Sequence, residues 1–233
     1  MTTKEFSDAF DTMLNSYGDF SGILAFDEYE KSLFLTQAQE QIVIELYTGR
    51  NTKGSSFEKT EEMRASLKSL IKTSPCDDIG ELKGISKYSK FFTLPKDVLF
   101  ITYESATLDD KTAGCKNGSE ILIVPVTQDE FNTIMENPFR QASKRRALRL
   151  DYGTTNDDTN VVEIVTKYNI KDYTIRYLSK PTPIILANLD GLSIDKETKT
   201  TECKLNSVLH KSILERAVLL ALTSRNMQNK SNV

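Results

Sequence analysis

Two residues close together near the end of the chain have side chains that could support nucleophilic chemistry. His210 is the one histidine in the sequence, and Cys203 lies a few positions before it. A cysteine hydrolase needs a thiol beside a histidine base that a third group orients. The residues around both positions lack the local signatures of cysteine proteases and of the nucleophile elbow. A structural histidine is therefore the favoured interpretation, and the sequence predicts no enzyme and no catalytic residues.

The cysteines are the only soft metal ligands to consider. Cys76, Cys115 and Cys203 are too widely spaced for a zinc site. An odd number of isolated cysteines indicates free thiols in a reducing compartment, with a structural role as the default interpretation. The sequence therefore predicts neither a metal nor a cofactor.

Polar loops offer two further candidate binding sites. Residues 49–56 contain Gly, Lys and Ser, but in the wrong order for a phosphate loop and without a preceding strand, which favours a solvated loop. Acidic pairs could hold two metal ions, but such pairs are common turn residues, and this second interpretation is favoured. The pairs are Asp77-Asp78, Asp109-Asp110 and Asp157-Asp158.

A basic run at residues 140–146 ends in Lys144, Arg145 and Arg146. It could bind DNA phosphates, form a solvated turn, or face an acidic neighbour in an assembly. The formal net charge of −3 argues against a surface built to coat DNA, which favours the last two interpretations. The sequence leaves open whether these three residues meet DNA or protein.

Helical patterns occupy both ends of the chain. Of 233 residues, 39% are apolar and 27% charged, which is typical of soluble globular proteins. Thr2 with Glu5, and Asp27 with Glu30, have the capping-box spacing that begins a helix. Apolar residues at helical spacing follow both pairs. The helices are predicted at about residues 2–17, 27–47, 57–72 and 207–225.

A β-rich pattern occupies the middle of the chain. Short apolar runs there alternate with turn residues. Lys171-Asp172 is the predicted turn of a hairpin between the last two strands, and Thr127 with Glu130 is the predicted capping pair of a short helix at 127–135. Pro181 and Pro183 indicate an edge or a linker, followed by a last short strand or loop at 184–189. The strands are predicted at 98–104, 120–126, 147–152, 161–168 and 173–178.

The fold class that follows is α+β: a helical bundle from the N- and C-terminal segments with a β-rich insertion. We assign residues 1–75 and 205–225 to the bundle, 76–204 to the insertion, and 226–233 to a flexible tail. Residues 224–233 include almost no apolar residues, and we predict that they form a docking segment; the alternative is a disordered end without a function. No apolar run approaches the roughly 20 residues that span a bilayer, and no apolar signal region begins the chain, so no membrane partner is expected.

A resemblance to a known family rests on six segments, at residues 24–43, 58–64, 137–139, 146–150, 173–186 and 203–218. In this order they resemble structural proteins of crAss-like phages and of related phages and prophages of gut bacteria. The order carries the resemblance, which spans most of the chain, because no single motif is diagnostic. One departure is Leu205-Asn206, where the family pattern has Leu-Pro before the closing helix.

The resemblance implies a non-enzymatic virion protein that forms an oligomeric ring in the head–tail connector or tail of a tailed bacteriophage. The closing helix also resembles that of head–tail adaptor proteins, which implies a dodecamer like the portal it meets. Implied partners are further copies of the chain, the portal, neighbouring tail ring proteins and DNA passing through the lumen. The protein would be made in the host bacterial cytoplasm and end in the virion neck or tail. The alternatives are an assembly chaperone or accessory protein and a cysteine hydrolase.

Overall fold

The structure, a computed structural model, describes residues 1–16, 25–50, 56–57, 59–80, 82–154 and 159–231, with side chains up to residue 225. Contacts divide the chain into two compact units. The helical unit comprises Met1–Leu70 and Lys180–Val233, and the barrel unit comprises Ile71–Ser179. Among the described helices, none is long and apolar enough to cross a membrane.

Helices make up most of the regular structure of the helical unit, and the described part of the barrel unit has one short α-helix and a 3-10 turn at Lys111–Lys116. A 3-10 turn at Lys68–Leu70 follows the third helix, and another at Ser207–Leu209 leads into the last. The α-helices of the described residues are α1 Thr3–Ser16, α2 Glu28–Thr48, α3 Glu61–Leu67, α4 Phe131–Glu136 and α5 His210–Ser231.

The first two helices begin where the sequence predicts. The Asp27 carboxylate accepts a hydrogen bond from Glu30 N, and the Glu30 side chain accepts one from Asp27 N, so α2 starts with a capping box. Thr2 and Glu5 make the same reciprocal pair at α1. Gly49 ends α2 at φ 78°, a left-handed conformation that glycine adopts without steric penalty.

The barrel unit is built from strands in the order β1-β2-β6-β5-β4-β3-β7, which closes on itself. The neighbours are antiparallel except β4 and β5, which are parallel and are joined by the crossover that contains α4. The strands are β1 Ile71–Asp78, β2 Ser89–Thr93, β3 Val98–Leu108, β4 Glu120–Pro125, β5 Arg146–Thr154, β6 Asn160–Val165 and β7 Ile170–Ser179.

The barrel has its own hydrophobic core. Inward-facing residues of different strands pack together there, while Phe131 of α4 packs on the other face of the sheet against Leu148 and Leu150. Strands covered on both faces carry apolar residues on both faces. The innermost residues include Phe92, Ile121, Ile164, Tyr173 and Ile175.

The α+β class is confirmed, but a helical bundle with an insertion is the wrong description of it. The described β-rich part is a closed barrel of seven strands with its own core. The hairpin prediction is also wrong, because Lys171 and Asp172 lie inside β7, which pairs with β1 and β3. Apolar patterns locate strands but do not reveal which strands pair across the barrel.

Two helix predictions need correction. The helix predicted at 57–72 ends at Leu67, and the chain from Ile71 onward is strand β1, paired with β7. The helix predicted to start at Thr127 starts at Phe131, and Glu130 makes no side-chain cap. In the first case the local spacing fits a helix, but pairing with β7 overrides it. In the second case the spacing also fits, but the predicted side-chain cap does not form.

The chain from Lys180 to α5 packs along α2 through polar contacts. Gln39 Nε2 donates to Thr182 O at 2.8 Å, and Leu186 N donates to Ser32 Oγ at 3.0 Å. Asn206 then caps the final helical segment by accepting from Val208 N at 3.1 Å. An asparagine cap therefore stands where the family pattern has proline. α5 runs on to Ser231, six residues beyond its predicted end at 225.

Candidate assembly surfaces

His210 and Cys203 take structural positions in the helical unit. His210 is buried, with Nδ1 2.8 Å from the Met1 amine nitrogen and Nε2 3.1 Å from Leu205 O. Burial lowers its pKa. The Cys203 thiol donates to Gln39 Oε1 at 3.2 Å, and burial raises its pKa. Among the described contacts neither imidazole nitrogen meets this thiol, so the geometry does not assemble a thiolate–imidazole pair.

The other two thiols lie in different environments. Burial in the barrel core raises the pKa of Cys76 to about 12, which disfavours the thiolate. Cys115 is exposed and free. No described group of three or more His, Cys, Asp or Glu side chains is arranged to hold a metal ion.

The acidic pairs and the glycine-containing loop have local roles where the structure describes them. Asp110 caps a 3-10 turn by accepting from Thr112 N at 2.8 Å, and it also accepts from Asn169 N at 3.1 Å. The hydrogen bond from the Thr112 hydroxyl to Asp110 Oδ1, together with these two backbone bonds, lowers the pKa of Asp110. Asp77-Asp78 forms the end of β1. Asp157-Asp158 and residues 51–55 of the glycine-containing loop, predicted to be a solvated loop, lie outside the described residues.

The basic run divides between a turn and a strand. Lys144 and Arg145 are exposed in the turn, whereas Arg146 begins β5 and donates from NH1 to Phe139 O at 3.2 Å. Lys144 Nζ donates to Ala113 O at 3.3 Å and lies 5.8 Å from the Tyr168 ring centroid. We call residues 137–145 the basic loop; it has no acidic residue. Its exposed cations suit a phosphate or an acidic protein surface.

The basic loop also presents an aromatic side chain that sequence reasoning missed. Phe139 is 91% exposed. Its backbone is ordered, because Phe139 N donates to Asn137 Oδ1 and Gln141 N donates to Asn137 O, both at 2.9 Å. An exposed aromatic ring on an ordered turn is a common anchor in protein interfaces.

A buried ion pair inside the barrel was likewise missed. Arg149 Nε on β5 lies 3.1 Å from Glu104 Oε1 on β3, an ion-pair contact without hydrogen-bond geometry. Tyr173 OH on β7 donates to Glu104 Oε2 at 2.7 Å. Burial raises the pKa of Glu104, and Arg149 and Tyr173 offset this effect only in part. Three strands are thereby linked by charged and polar contacts.

A groove lies between α2 and α5 in the helical unit. Its volume is about 440 Å³. Arg216 on α5 crosses it and pairs with both carboxylate oxygens of Glu45 at 2.7 and 3.0 Å. The apolar part of its lining is Ile42, Leu46, Leu209 and Leu219.

Two helices of this unit carry large apolar side chains on outward faces. Val208 and Leu219 are 75% and 52% exposed and lie on one face of the last helical segment; we call them the α5 stripe. Leu33 and Ile44 are 44% and 41% exposed and lie on one face of α2; we call them the α2 stripe. α5 packs against α1 and α2, which bury residues such as Ala217, while Leu219 stays exposed on another face. Exposed apolar surface of this kind indicates protein contacts.

The described residues present ordered surfaces for protein contact rather than an assembled catalytic group. Such surfaces are the features of an assembly subunit. Comparison with known proteins agrees with this class. All residues, 1–233, match the family described as phage tail ring protein 3/4, and the chain belongs to that family.

Two relatives from Bacteroides phage crAss001 are similar over nearly the whole chain. One, named ring protein 3, is 50% identical over 229 residues, which cover 97% of this chain and 96% of the relative. The other, named ring protein 4/5, is 31% identical over 230 residues, which cover 95% of this chain and 92% of the relative. The resemblance to crAss-like phage structural proteins is thereby confirmed, and the chain is a structural ring protein of that group.

Proposed function

We propose that the chain forms a homo-oligomeric ring of twelve copies in the head–tail connector or tail of the virion. The full-length family match is the observation that carries the proposal. The α5 and α2 stripes support it, because a closed ring needs two different contact surfaces on each copy.

The ring's neighbours in the virion would be the portal or adjacent ring proteins. The basic loop, which carries the exposed Phe139, is a further surface besides the two stripes, and it suits such a partner or the backbone of DNA in the lumen. Residues 224–233 would reach the same partners as a docking segment. In this proposal the protein is made in the host cytoplasm, incorporated into the particle, and performs no catalysis.

Native mass spectrometry of the purified protein tests the ring, and cryo-EM of the virion neck tests its place and copy number. We expect a single closed species of twelve subunits. Mass spectrometry of purified virions separates a ring component from an assembly chaperone, because only the former remains in the particle. A chain that stays monomeric in solution and is absent from virions would contradict the proposal.

A further inference from the structure

We infer that adjacent copies in the ring meet through the α5 stripe of one copy and the α2 stripe of the next. This inference rests on the proposed ring and names its contact. The α2 stripe lies on α2, and the α5 stripe lies on α5 and the 3-10 turn that leads into it, within the same unit. A contact between two different surfaces is heterologous, and heterologous contacts close into rings when the rotation between copies allows it.

The two stripes match in spacing. Val208 and Leu219 are eleven positions apart in the sequence, and so are Leu33 and Ile44. Eleven residues of α-helix make three turns, about 16 Å along the axis at 1.5 Å per residue. Val208 and Leu209 belong to the 3-10 turn before α5, which lengthens the spacing of the α5 stripe by about 1 Å. Two helices that pack side by side can therefore bring both pairs of apolar side chains into contact at once.

The polar residues that flank the stripes are complementary. Lys31 is the one cation of α2, and it is buried, so the outward residues of this helix include Glu30, Gln37 and Glu40. Glu40 already pairs with Lys180 Nζ at 3.0 Å. Beside the α5 stripe, the side chain of Lys211 is 79% exposed and makes only a 3.8 Å contact with Glu215. Lys211 would thus meet a helix whose own exposed charged residues are acidic, whereas two α2 surfaces would bring like charges together, which favours this pairing.

Stripe variants test the contact in the full-length protein. Leu219→Asp and Ile44→Asp each place a charge where the inference buries an apolar side chain, so we expect each variant to lose the ring and remain a monomer. Both positions are exposed in the single chain, so the melting temperature of the monomer should change little. Leu122→Asp is the matched control: Leu122 is 52% exposed, on strand β4, and the variant should still form the ring.

Mixing the two variants tests which surface meets which. Leu219→Asp keeps an intact α2 stripe and Ile44→Asp keeps an intact α5 stripe, so the mixture should give a 1:1 heterodimer and nothing larger. Native mass spectrometry with one partner isotope-labelled measures this directly. Rings that persist in either variant, or a mixture that stays monomeric, would overturn the inference while the proposed ring stands. A wild-type protein that forms no ring would overturn both.

Discussion

At the scale of single residues, Lys31 shows how a charge can belong to the core of the helical unit. Its ammonium group is buried on α2 and donates to Asp11 Oδ2 on α1 at 2.7 Å and to Glu28 Oε1 at 3.1 Å. Burial lowers the pKa of Lys31, but these hydrogen bonds outweigh that effect and raise the pKa above its ordinary value of 10.5. The contact therefore links two helices through a charged group.

Replacing this lysine should weaken the link between α1 and α2. We expect Lys31→Met to lower the free energy of unfolding by about 2 kcal/mol at pH 7, the size of a hydrogen-bonded charged contact. Because the folded-state pKa is raised, this contribution is complete below pH 10.5 and disappears as the pH rises through the folded value. Urea unfolding at pH 7 and above pH 11 measures both effects. The exposed Lys211→Met should change little, and equal losses in the two variants would contradict the assignment.

The buried pair in the barrel predicts an opposite dependence on pH. Arg149→Met leaves the Glu104 carboxylate without its cation, which should cost about 3 kcal/mol at neutral pH. A carboxyl group with a raised pKa destabilises the folded state as the pH rises from its ordinary value of 4.5 through the folded value. The loss should therefore be larger at pH 8 than at pH 5.

Chemical unfolding of Arg149→Met at the two pH values measures this loss. Arg140→Met makes the same substitution at an exposed position and serves as the control. Adding Glu104→Gln to Arg149→Met should recover part of the lost stability, since it removes the buried charge. Losses that do not vary with pH would mean that Glu104 remains solvated when its partner is gone.

At the scale of elements, the closing helix has a buried face that tolerates no charge. Ala217 is fully buried on α5, where α1 and α2 approach. We expect Ala217→Asp to lower stability by about 3 kcal/mol or more, because it buries an unpaired carboxylate. Thermal melts monitored by circular dichroism check this, with Ser212→Asp on the exposed face as the control. If Ala217→Asp melted at the wild-type temperature, this face of α5 would have to lie in solvent.

Elements set by local chemistry were predictable from the sequence, and those set by distant pairing were not. The capping pair Asp27 and Glu30 is local, and it places the start of α2 correctly. The register of Ile71 with Leu178 joins residues far apart in the chain, so β1 could not be separated from the helical pattern before it. The same applies to the Glu104–Arg149 pair, whose partners lie on β3 and β5.

At the scale of the whole molecule, the sequence predicts the class of protein more firmly than it predicts the contact surfaces. The isolated thiols and the single histidine argue against catalysis, and the ordered set of family segments identifies a ring protein, which the family match confirms. Exposure of Phe139 and of Leu219 depends on what the rest of the fold covers. Apolar residues on a helix look alike in sequence whether the same chain or a second copy buries them.

The division into two units predicts that the helical unit folds without the barrel. Ile71 pairs with Leu178, so the chain enters and leaves the barrel on neighbouring strands, and a short flexible linker can replace residues 71–179. The shortened chain should keep the segment from Lys180 onward, because Thr182 and Leu186 bond to α2. We expect a soluble, helical protein that melts cooperatively by circular dichroism.

A matched deletion of 76–204 also removes those contacts and should melt at a lower temperature. If the 71–179 replacement gives a disordered chain, the helices need the barrel to fold, and the two units are not independent domains.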